Sequence, residues 1–396
     1  MPLFWRNPLT MVNAQVLGPG GELARTLRIR RGRIDGIGVA PDKSDTVLDL
    51  DGAFVFPGLI NAHDHLELNS QPRLKWRQCY ANAREWVADF QPRFATDPDL
   101  AVNHPETLID RLWVGGLKNL LSGVTTVCHH NPLHRPLRLR FPVKVVQRFG
   151  FSHSLYVDGD RVADVHRDTP TDWPWMIHAA EGTDEEARAD VAALERLGCL
   201  APNTVLIHGV ALCQKESERV LRAGAGLVWC PSSNQFLFGR TADVRPFDGA
   251  DRLALGSDSR LSGAGDLLDE LRVAHETHQL STESLARLVS TGAARLLRLE
   301  HAGRIAAGHP ADLIVVRSAS ADPFDTLVHA ARTDVALAMV DGSACVGEPS
   351  MAAAFTAAGV ATMPARLDGA PRLVARWIGR RVEHMRVRER GFEVVH

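Results

Sequence analysis

Short apolar runs alternate with amphipathic segments through the middle of the chain, from about residue 58 to residue 302. Trp175-Met176-Ile177 is one such run, and residues 184–197 form one of the amphipathic segments. Runs of this length are typical of buried strands, and the longer segments have the periodicity of surface helices. Strand followed by helix, repeated, predicts an α/β fold with a parallel sheet. At this length a closed (β/α)8 TIM barrel is its simplest form.

Both ends of the chain show a different pattern, with short alternating segments separated by turn residues. Residues 27–37 and residues 335–346 each contain two such segments around a turn with glycine, which is typical of a β-hairpin. Two strand-rich ends around a different middle predict two domains. Residues 1–57 and 303–396 would form one small β domain with a carboxyl-terminal tail, and residues 58–302 a catalytic barrel.

Polar residues follow four of the apolar runs in the middle region, where the predicted strands end. These residues are His63 with His65, then His178, His208 and Asp258. In a TIM barrel the carboxyl ends of all strands converge on one face, so these side chains are expected to meet. His63 and His65, two residues apart on a strand, point to the same side. The pattern predicts one divalent metal ion held by His63, His65, His178 and Asp258.

The ligand types indicate the metal and its chemistry. Three imidazoles and one carboxylate suit Zn²⁺, with Fe²⁺ or Mn²⁺ as alternatives, and leave room for a water molecule. Such a metal brings the pKa of bound water toward neutrality and yields a hydroxide that attacks an sp² carbon. Glu181, three residues after His178, is predicted to move protons between the water and the leaving group, together with Asp258. His208 is predicted to hydrogen-bond the hydroxide or the developing oxyanion.

Composition and charge exclude several other classes of protein. The 396 residues carry 45 basic and 47 acidic side chains, a net charge of -2, which predicts no nucleic-acid partner. No apolar run reaches the roughly 18–20 residues that cross a bilayer, so no membrane partner is expected. The six cysteines show no C-x-x-C spacing and there is no signal peptide, which predicts a cytoplasmic protein. The sequence leaves open whether the protein forms a homodimer or a larger homo-oligomer.

Seven segments, in order, carry a resemblance to a known family. They are PGLINAHDHL at 57–66, GVTTV at 123–127, IHAAEG at 177–182, LIHGV at 206–210, WCPSSNQFLFG at 229–239, LGSDS at 255–259 and GRIAAGHPADLIVV at 303–316. The sequence resembles the amidohydrolase superfamily, in its branch of cytosine, guanine and adenosylhomocysteine deaminases and triazine hydrolases. The resemblance implies the same four metal ligands, Glu181 as proton shuttle and His208 as a contact of water or substrate. It also implies that the termini form a small β-sandwich beside the barrel.

The sequence departs from the family pattern in two regions. About fifty residues separate Thr126 from His178, where relatives fit two βα units, so strands 3 and 4, within residues 128–176, are expected to be irregular. The tail 366–390 contains eight arginines and is predicted to be a solvated or oligomer-facing helix, with an anion site as the alternative. Binuclear relatives bridge their metals with a lysine on a middle strand. Lys144 stands near the start of its strand, which favours one metal.

Four residues are candidates for substrate contact. Arg260 follows Asp258 by two residues and is positioned to meet a substrate carboxylate or phosphate; a surface ion pair with a nearby aspartate is the alternative. Trp229 is a candidate stacking surface for a planar heterocycle, with core packing as the alternative. Glu67 and His130 follow the first two strands of the predicted barrel and are expected to line the pocket.

The predicted function is hydrolytic deamination of a small nitrogen heterocycle of purine, pyrimidine, pterin or triazine type, with release of ammonia. The same site would also suit opening of a cyclic amide, cleavage of an amide, or removal of chloride, because only the leaving group differs. A hypothesis of another class is a catalytically inactive amidohydrolase-like scaffold that binds partners. Retention of all four ligand residues and Glu181 speaks against that hypothesis.

Overall fold

A computed structural model describes residues 7–18, 22–94, 96, 100 and 107–395. This part of the chain contains both strands and helices throughout its length. Within it, no helix has both the length and the apolar character needed to cross a membrane.

The strands fall into three groups along the chain. The amino-terminal group is β1 (Leu9–Val12), β2 (Gln15–Leu17), β3 (Leu23–Ala24), β4 (Leu27–Arg30), β5 (Arg33–Ile37), β6 (Thr46–Asp49) and β7 (Phe54–Pro57). The middle group is β8 (Leu59–Asp64), β9 (Val124–His129), β10 (Lys144–Val145), β11 (Gly150–Ser154), β12 (Trp175–Ala179), β13 (Thr204–His208), β14 (Gly226–Trp229) and β15 (Leu253–Leu255). The carboxyl-terminal group is β16 (Leu313–Val316), β17 (Val335–Val340), β18 (Ser343–Gly347), β19 (Thr362–Leu367), β20 (Ala370–Ala375) and β21 (Phe392–Val394).

Most α-helices lie between the middle strands. They are α1 (Ala83–Phe90), α2 (Leu108–Leu121), α3 (Leu155–Asp158), α4 (Arg161–Asp168), α5 (Glu185–Arg196), α6 (Gln214–Arg222), α7 (Pro231–Phe238), α8 (Leu267–Glu276), α9 (Thr282–Leu288), α10 (Thr291–Leu296), α11 (Pro323–His329), α12 (Ala352–Ala357) and α13 (Arg376–Glu383). The predicted amphipathic segment 184–197 corresponds to α5. Asp184 caps that helix by accepting a hydrogen bond from the Ala187 backbone at 2.9 Å.

The eight middle strands are parallel and form two hydrogen-bonded arcs. One arc has the order β10-β9-β8 and the other the order β11-β12-β13-β14-β15. The backbone N–H of Asp258, just after β15, donates to the carbonyl of His63 in β8 at 3.1 Å, so the two arcs touch there. The carboxyl ends of β8 and β15 are thereby held next to each other.

The segment between Thr126 and His178 is irregular, as predicted. Strand β10 has only two residues, and residues 146–149 alone connect it to β11. No helix separates these two strands, whereas α3 and α4 both follow β11. The missing crossover helix accounts for the compression of the sequence in this region.

The terminal strands form two further sheets that share one core. The smaller sheet has the order β5-β4-β1-β6, and the larger β21-β19-β20-β18-β17-β16-β7-β2-β3. In the larger sheet β7, from the amino-terminal part, pairs antiparallel with β16, so that Val55 lies opposite Val315. Val55 and Val315 are fully buried in one cluster with Leu9 and Ile29 of the smaller sheet. Both ends of the chain therefore contribute to one packed unit.

The other face of the larger sheet packs against the middle region. Phe54 and Phe56, which alternate with Val55 along β7, belong to a second buried cluster together with Leu117 of α2 and Val124 of β9. Successive side chains of a strand point to opposite faces, so one strand serves both cores.

The arginine-rich tail is not one continuous helix. Its residues form β20, α13 and the approach to β21, and β20 pairs with β18 in the large sheet. Arg381 in α13 forms an ion pair with Asp110 of α2, and the Arg386 backbone donates to the same carboxylate at 2.7 Å. The prediction of one helix is therefore wrong in extent, because only residues 376–383 are helical; Arg376 and Arg380 of that helix are exposed, and an oligomer contact stays a prediction.

Candidate metal centre

Four predicted ligands converge where β8, β12 and β15 end. The Nε2 atoms of His63 and His178 are 3.4 Å apart, and Oδ1 of Asp258 lies 3.7 Å from Nε2 of His63 and 3.6 Å from Nε2 of His65. Ligand atoms of the three histidines all lie within 4.8 Å of one another, and all three side chains are buried. The structure thus brings together the four residues that the sequence predicts as metal ligands.

The ionisation of these side chains fits a divalent cation. The carbonyl of His153 accepts from Nδ1 of His178 at 2.8 Å, which leaves Nε2 of that ring with a free lone pair. Burial lowers the pKa of His63 to about 4 and holds the pKa of His178 well below its ordinary value, so both rings are neutral at pH 7. Burial alone would raise the pKa of Asp258, but the adjacent imidazoles hold it well below its usual range. Neutral imidazoles and an ionised carboxylate are the forms that bind metals.

Two hydroxyl groups orient the Asp258 carboxylate. Ser233 and Ser262 each donate to Oδ2 at 2.7 Å, so that Oδ1 faces the histidines. Asp258 and His208 both have left-handed backbone conformations, with φ of 51° and 77°. Such angles cost energy for residues other than glycine and are found preferentially at functional sites.

Glu181 and His208 form a polar pair beside the convergent histidines. Oε1 of Glu181 lies 3.5 Å from Nε2 of His208, whose Nδ1 is 2.9 Å from Oδ1 of Asn234. Burial raises the pKa of Glu181 to about 7. A carboxyl group with this pKa can both accept and donate a proton near neutral pH, as a general acid–base must.

A buried lysine that sequence reasoning missed lies behind the ligands. Lys118 of α2 is fully buried, and its Nζ lies 3.2 Å from Oδ2 of Asp64, the residue between His63 and His65. The same ammonium donates to Asn69 at 2.8 Å and to Ser257 at 2.9 Å. The alternation of β8 could have indicated it, because Asp64 must point away from the histidines into the core and a buried carboxylate needs a cation.

The Asp64 carboxylate is also satisfied by three amide side chains. It accepts hydrogen bonds from Asn61 at 3.2 Å, Asn69 at 2.8 Å and Asn119 at 2.7 Å. Lys118 further approaches the carbonyl of Asp258 at 3.3 Å. This network links β8, α2 and the end of β15, and therefore supports His63, His65 and Asp258 from the side away from the cavity.

A cavity of about 200 Å³ opens above the convergent side chains. His65, His178, Glu181, His208 and Asp258 form its polar floor. Its walls include Trp86 and Phe90 of α1, whose rings stack with centroids 5.2 Å apart. Sequence reasoning missed this aromatic wall, because nothing in the local pattern shows which face of α1 meets the cavity.

Two predicted substrate contacts lie near the cavity but do not line it. Glu67 accepts a hydrogen bond at 2.6 Å from Asn131, which does line the cavity. His130 is buried behind His178, with ring centroids 4.4 Å apart, and its Nε2 lies 3.1 Å from the carbonyl of Ser152. The structure places both residues behind those that face the cavity.

The predictions for Arg260 and Trp229 are wrong. Nη1 and Nη2 of Arg260 each donate to the buried carboxylate of Glu389 at 2.7 Å. The side chain is therefore held at Glu389 and does not line the cavity. The nearby aspartates considered as alternatives are not its ion-pair partners. Trp229 is fully buried, and its indole N–H donates to Thr241 at 2.7 Å, so its rings belong to the core.

Lys144 lies away from the convergent histidines. It begins β10 and forms ion pairs with Asp312 at 2.5 Å and Asp341 at 2.9 Å, beside the large terminal sheet. It therefore cannot bridge two metals at the ends of β8 and β12.

Known proteins of similar sequence are deaminases by name. The chain is 26% identical over 411 residues to the 5-methylthioadenosine/S-adenosylhomocysteine deaminase of Syntrophobacter fumaroxidans, an alignment that covers 85% of this chain and 92% of the relative. It is 30% identical over 188 residues to the 8-oxoguanine deaminase of Pseudomonas aeruginosa, which covers 42% of each.

Solved structures of the same fold hold zinc. The adenosine deaminase of Xanthomonas campestris with bound zinc superposes with a TM-score of 0.70 at 20% identity, covering 89% of this chain and 97% of that one. The zinc complex of atrazine chlorohydrolase from Arthrobacter aurescens gives 0.72 at 17% identity, covering 88% and 100%. The Amidohydrolase family model matches residues 164–350, which include His178, Glu181, His208 and Asp258. Residues 164–350 are therefore similar to the Amidohydrolase family, and the chain shares the mixed α/β, TIM-barrel type of fold of these solved structures.

Proposed function

We propose that this protein is a metal-dependent hydrolase that deaminates a small nitrogen heterocycle and releases ammonia. The observation that supports this most directly is the placement of Glu181, with its pKa raised to about 7, next to four convergent ligand side chains at the floor of a cavity. Relatives that are named deaminases of methylthioadenosine, adenosylhomocysteine and 8-oxoguanine support the same reaction class.

In this proposal His63, His65, His178 and Asp258 would hold one zinc ion, which would supply a Lewis acid when bound. Glu181 takes a proton from the attacking water and delivers it to the leaving nitrogen. Oδ1 of Asn234 accepts from Nδ1 of His208, so Nε2 of that ring points toward the same region and accepts a hydrogen bond from the attacking water. Asp258 assists the proton transfer from its position between the histidines and Ser233.

We also infer a closed barrel and a terminal β-sandwich. The hydrogen bond between Asp258 and His63 supports closure of the two parallel arcs on one side. The shared buried cluster between the four-stranded and nine-stranded sheets supports a sandwich built from residues 1–57 and 303–396. Residues 58–302 are then the catalytic domain.

Removal of metal is expected to lower the thermal stability of the protein. A ligand that binds only the folded state stabilises it by about 4 kcal/mol at a free concentration 1,000 times its Kd. We therefore expect chelation to lower Tm and added Zn²⁺ to restore it, measured by calorimetry alongside elemental analysis. The His178→Ala variant, which removes one ligand, should respond less to zinc. An unchanged Tm with no metal in the purified protein would contradict the proposed centre.

Ammonia release distinguishes deamination from the other hydrolytic reactions. Metal-loaded protein is incubated with a panel of purines, pyrimidines, pterins and triazines, and ammonia is measured by a coupled assay. Release by the wild type establishes a deaminase. Product formation without ammonia, detected by mass spectrometry, would instead indicate ring opening, amide cleavage or removal of chloride.

A further inference from the structure

The cavity above the candidate metal centre is small. Its volume of about 200 Å³ lies below the roughly 300–1,000 Å³ that is usual for pockets that hold drug-sized ligands. Leu68, Leu237 and Leu261 form apolar parts of its lining. A compound of one or two fused rings matches this space better than one with a long substituent.

One wall of the cavity suits a flat ring. Trp86 and Phe90 lie one turn apart on α1, with their ring planes inclined by only 13°. The indole N–H of Trp86 donates to the carbonyl of Leu74 at 3.3 Å, which holds that ring in place. Planar aromatic compounds pack favourably against such surfaces.

No lysine or arginine lines the cavity among the residues that the structure describes. The polar groups around its rim, Gln91, Asn131 and Tyr156, carry no positive charge at neutral pH. The stretch 95–106, which follows α1 and is largely outside the described residues, contains no lysine or arginine in its sequence.

Four arginines near the site in sequence are already held by other groups. Arg93, three residues after Phe90, donates to the carbonyl of Asp89 and lies over the ring of Trp76. Arg260 binds Glu389 through both guanidinium ends. Arg84, in the first turn of α1, pairs with Glu186 at 2.9 Å. Arg73 donates to the carbonyls of Ser232 and Ser262. Among the described residues, a substrate carboxylate or phosphate in this cavity would therefore meet no lysine or arginine and would share the space with the carboxylates of Glu181 and Asp258, which is costly.

We propose that the cavity binds an uncharged, planar heterocycle of one or two rings and discriminates against versions of the same ring that carry a carboxylate or phosphate. This inference rests on the proposed function, because it assumes that the cavity is where the ring is deaminated. The inference predicts from their charge which of the candidate heterocycles bind, a property that the proposed reaction alone leaves open.

Matched pairs of compounds test the inference. The methyl-substituted and carboxyl-substituted forms of cytosine, guanine and an aminotriazine are each titrated into the zinc-loaded protein. Binding is measured by calorimetry and ammonia by a coupled assay. For the ring that binds, we expect the methyl form to bind about 100-fold more tightly, or better, than the carboxyl form. Equal or tighter binding of the carboxyl form, or no binding of any methyl form, overturns the inference.

The same measurements keep the two proposals apart. Ammonia release from a carboxylated ring contradicts the charge preference but leaves deamination intact. Selective binding of the methyl form without ammonia release supports the charge preference and contradicts deamination.

Two variants probe the cavity walls. Gln91→Arg places a cation at the rim. The ratio of the affinities for the methyl and carboxyl forms should be about 10-fold smaller in this variant than in Gln91→Met, which adds no charge.

Trp86→Ala should weaken binding of the methyl form by about 10-fold. Trp173→Ala should not, because Trp173 lies before the start of β12 and away from the cavity. An identical preference in the two Gln91 variants, or equal affinities in the two tryptophan variants, counts against the inferred binding mode.

Discussion

Glu181→Gln is expected to lower kcat by about 10²–10⁴-fold while the protein keeps its metal. The amide is nearly the same shape as the carboxyl group but cannot accept or release a proton in the reaction. Glu181 is buried beside His208, and burial raises its pKa to about 7, which suits proton transfer in both directions near neutral pH. Steady-state ammonia release and elemental analysis of the same preparations measure the two quantities.

Glu186→Gln is the matched control for this experiment. Glu186 lies on the neighbouring helix α5, has a largely exposed side chain and pairs with Arg84 at the surface. The same chemical change there should leave kcat within about twofold, since surface substitutions have small effects. Full activity of Glu181→Gln would show that another group carries the proton.

Lys118→Met is expected to reduce the free energy of unfolding by about 3–5 kcal/mol. The substitution leaves the Asp64 carboxylate fully buried without the cation that now lies 3.2 Å away. It also removes the hydrogen bonds from the ammonium to Asn69 and Ser257, which hold the strand ends around the metal ligands. We therefore expect zinc affinity to fall by about 10–100-fold as well. Urea unfolding and competition with a zinc chelator measure these effects.

A double variant separates loss of charge from loss of packing. In Asp64→Asn/Lys118→Met no unpaired charge remains, so the protein should lose less stability than in Lys118→Met alone. Lys215→Met, on the exposed surface of α6, is the control and should change stability by no more than about 0.5 kcal/mol. A Lys118→Met protein as stable as this control would mean that Asp64 is not held as a buried carboxylate.

The convergence of the candidate metal ligands was predictable because it depends on local rules. Strands of a parallel sheet end at one edge, and residues two apart on a strand share a face, so His63, His65, His178 and Asp258 had to meet if the middle region forms such a sheet. The irregularity between Thr126 and His178 was also predictable, because the sequence there is too short for two full crossover units. Its form, a two-residue β10 without a following helix, depends on packing that the local pattern does not encode.

The partners of charged residues could not be predicted, because they lie far apart in the sequence. Arg260 stands two residues after Asp258, and this position suggested a role in substrate binding. Its carboxylate partner is 129 residues further on, in a tail that the family resemblance does not cover. The same reason applies to Trp229. Its place at a strand end suggested that it forms a cavity wall, but only tertiary packing shows that Thr241 and the core surround it.

The ion pair between Arg260 and Glu389 also sets an order of events during protein synthesis. Domains begin to fold while the ribosome adds about 5–20 residues per second, so Glu389 emerges on the order of ten seconds after Arg260. Until then the guanidinium has no buried carboxylate to receive it, and the loop directly after Asp258 cannot reach its final packing. The candidate metal ligands all precede Glu389 in the chain, yet their surroundings are completed only after Glu389 has been translated.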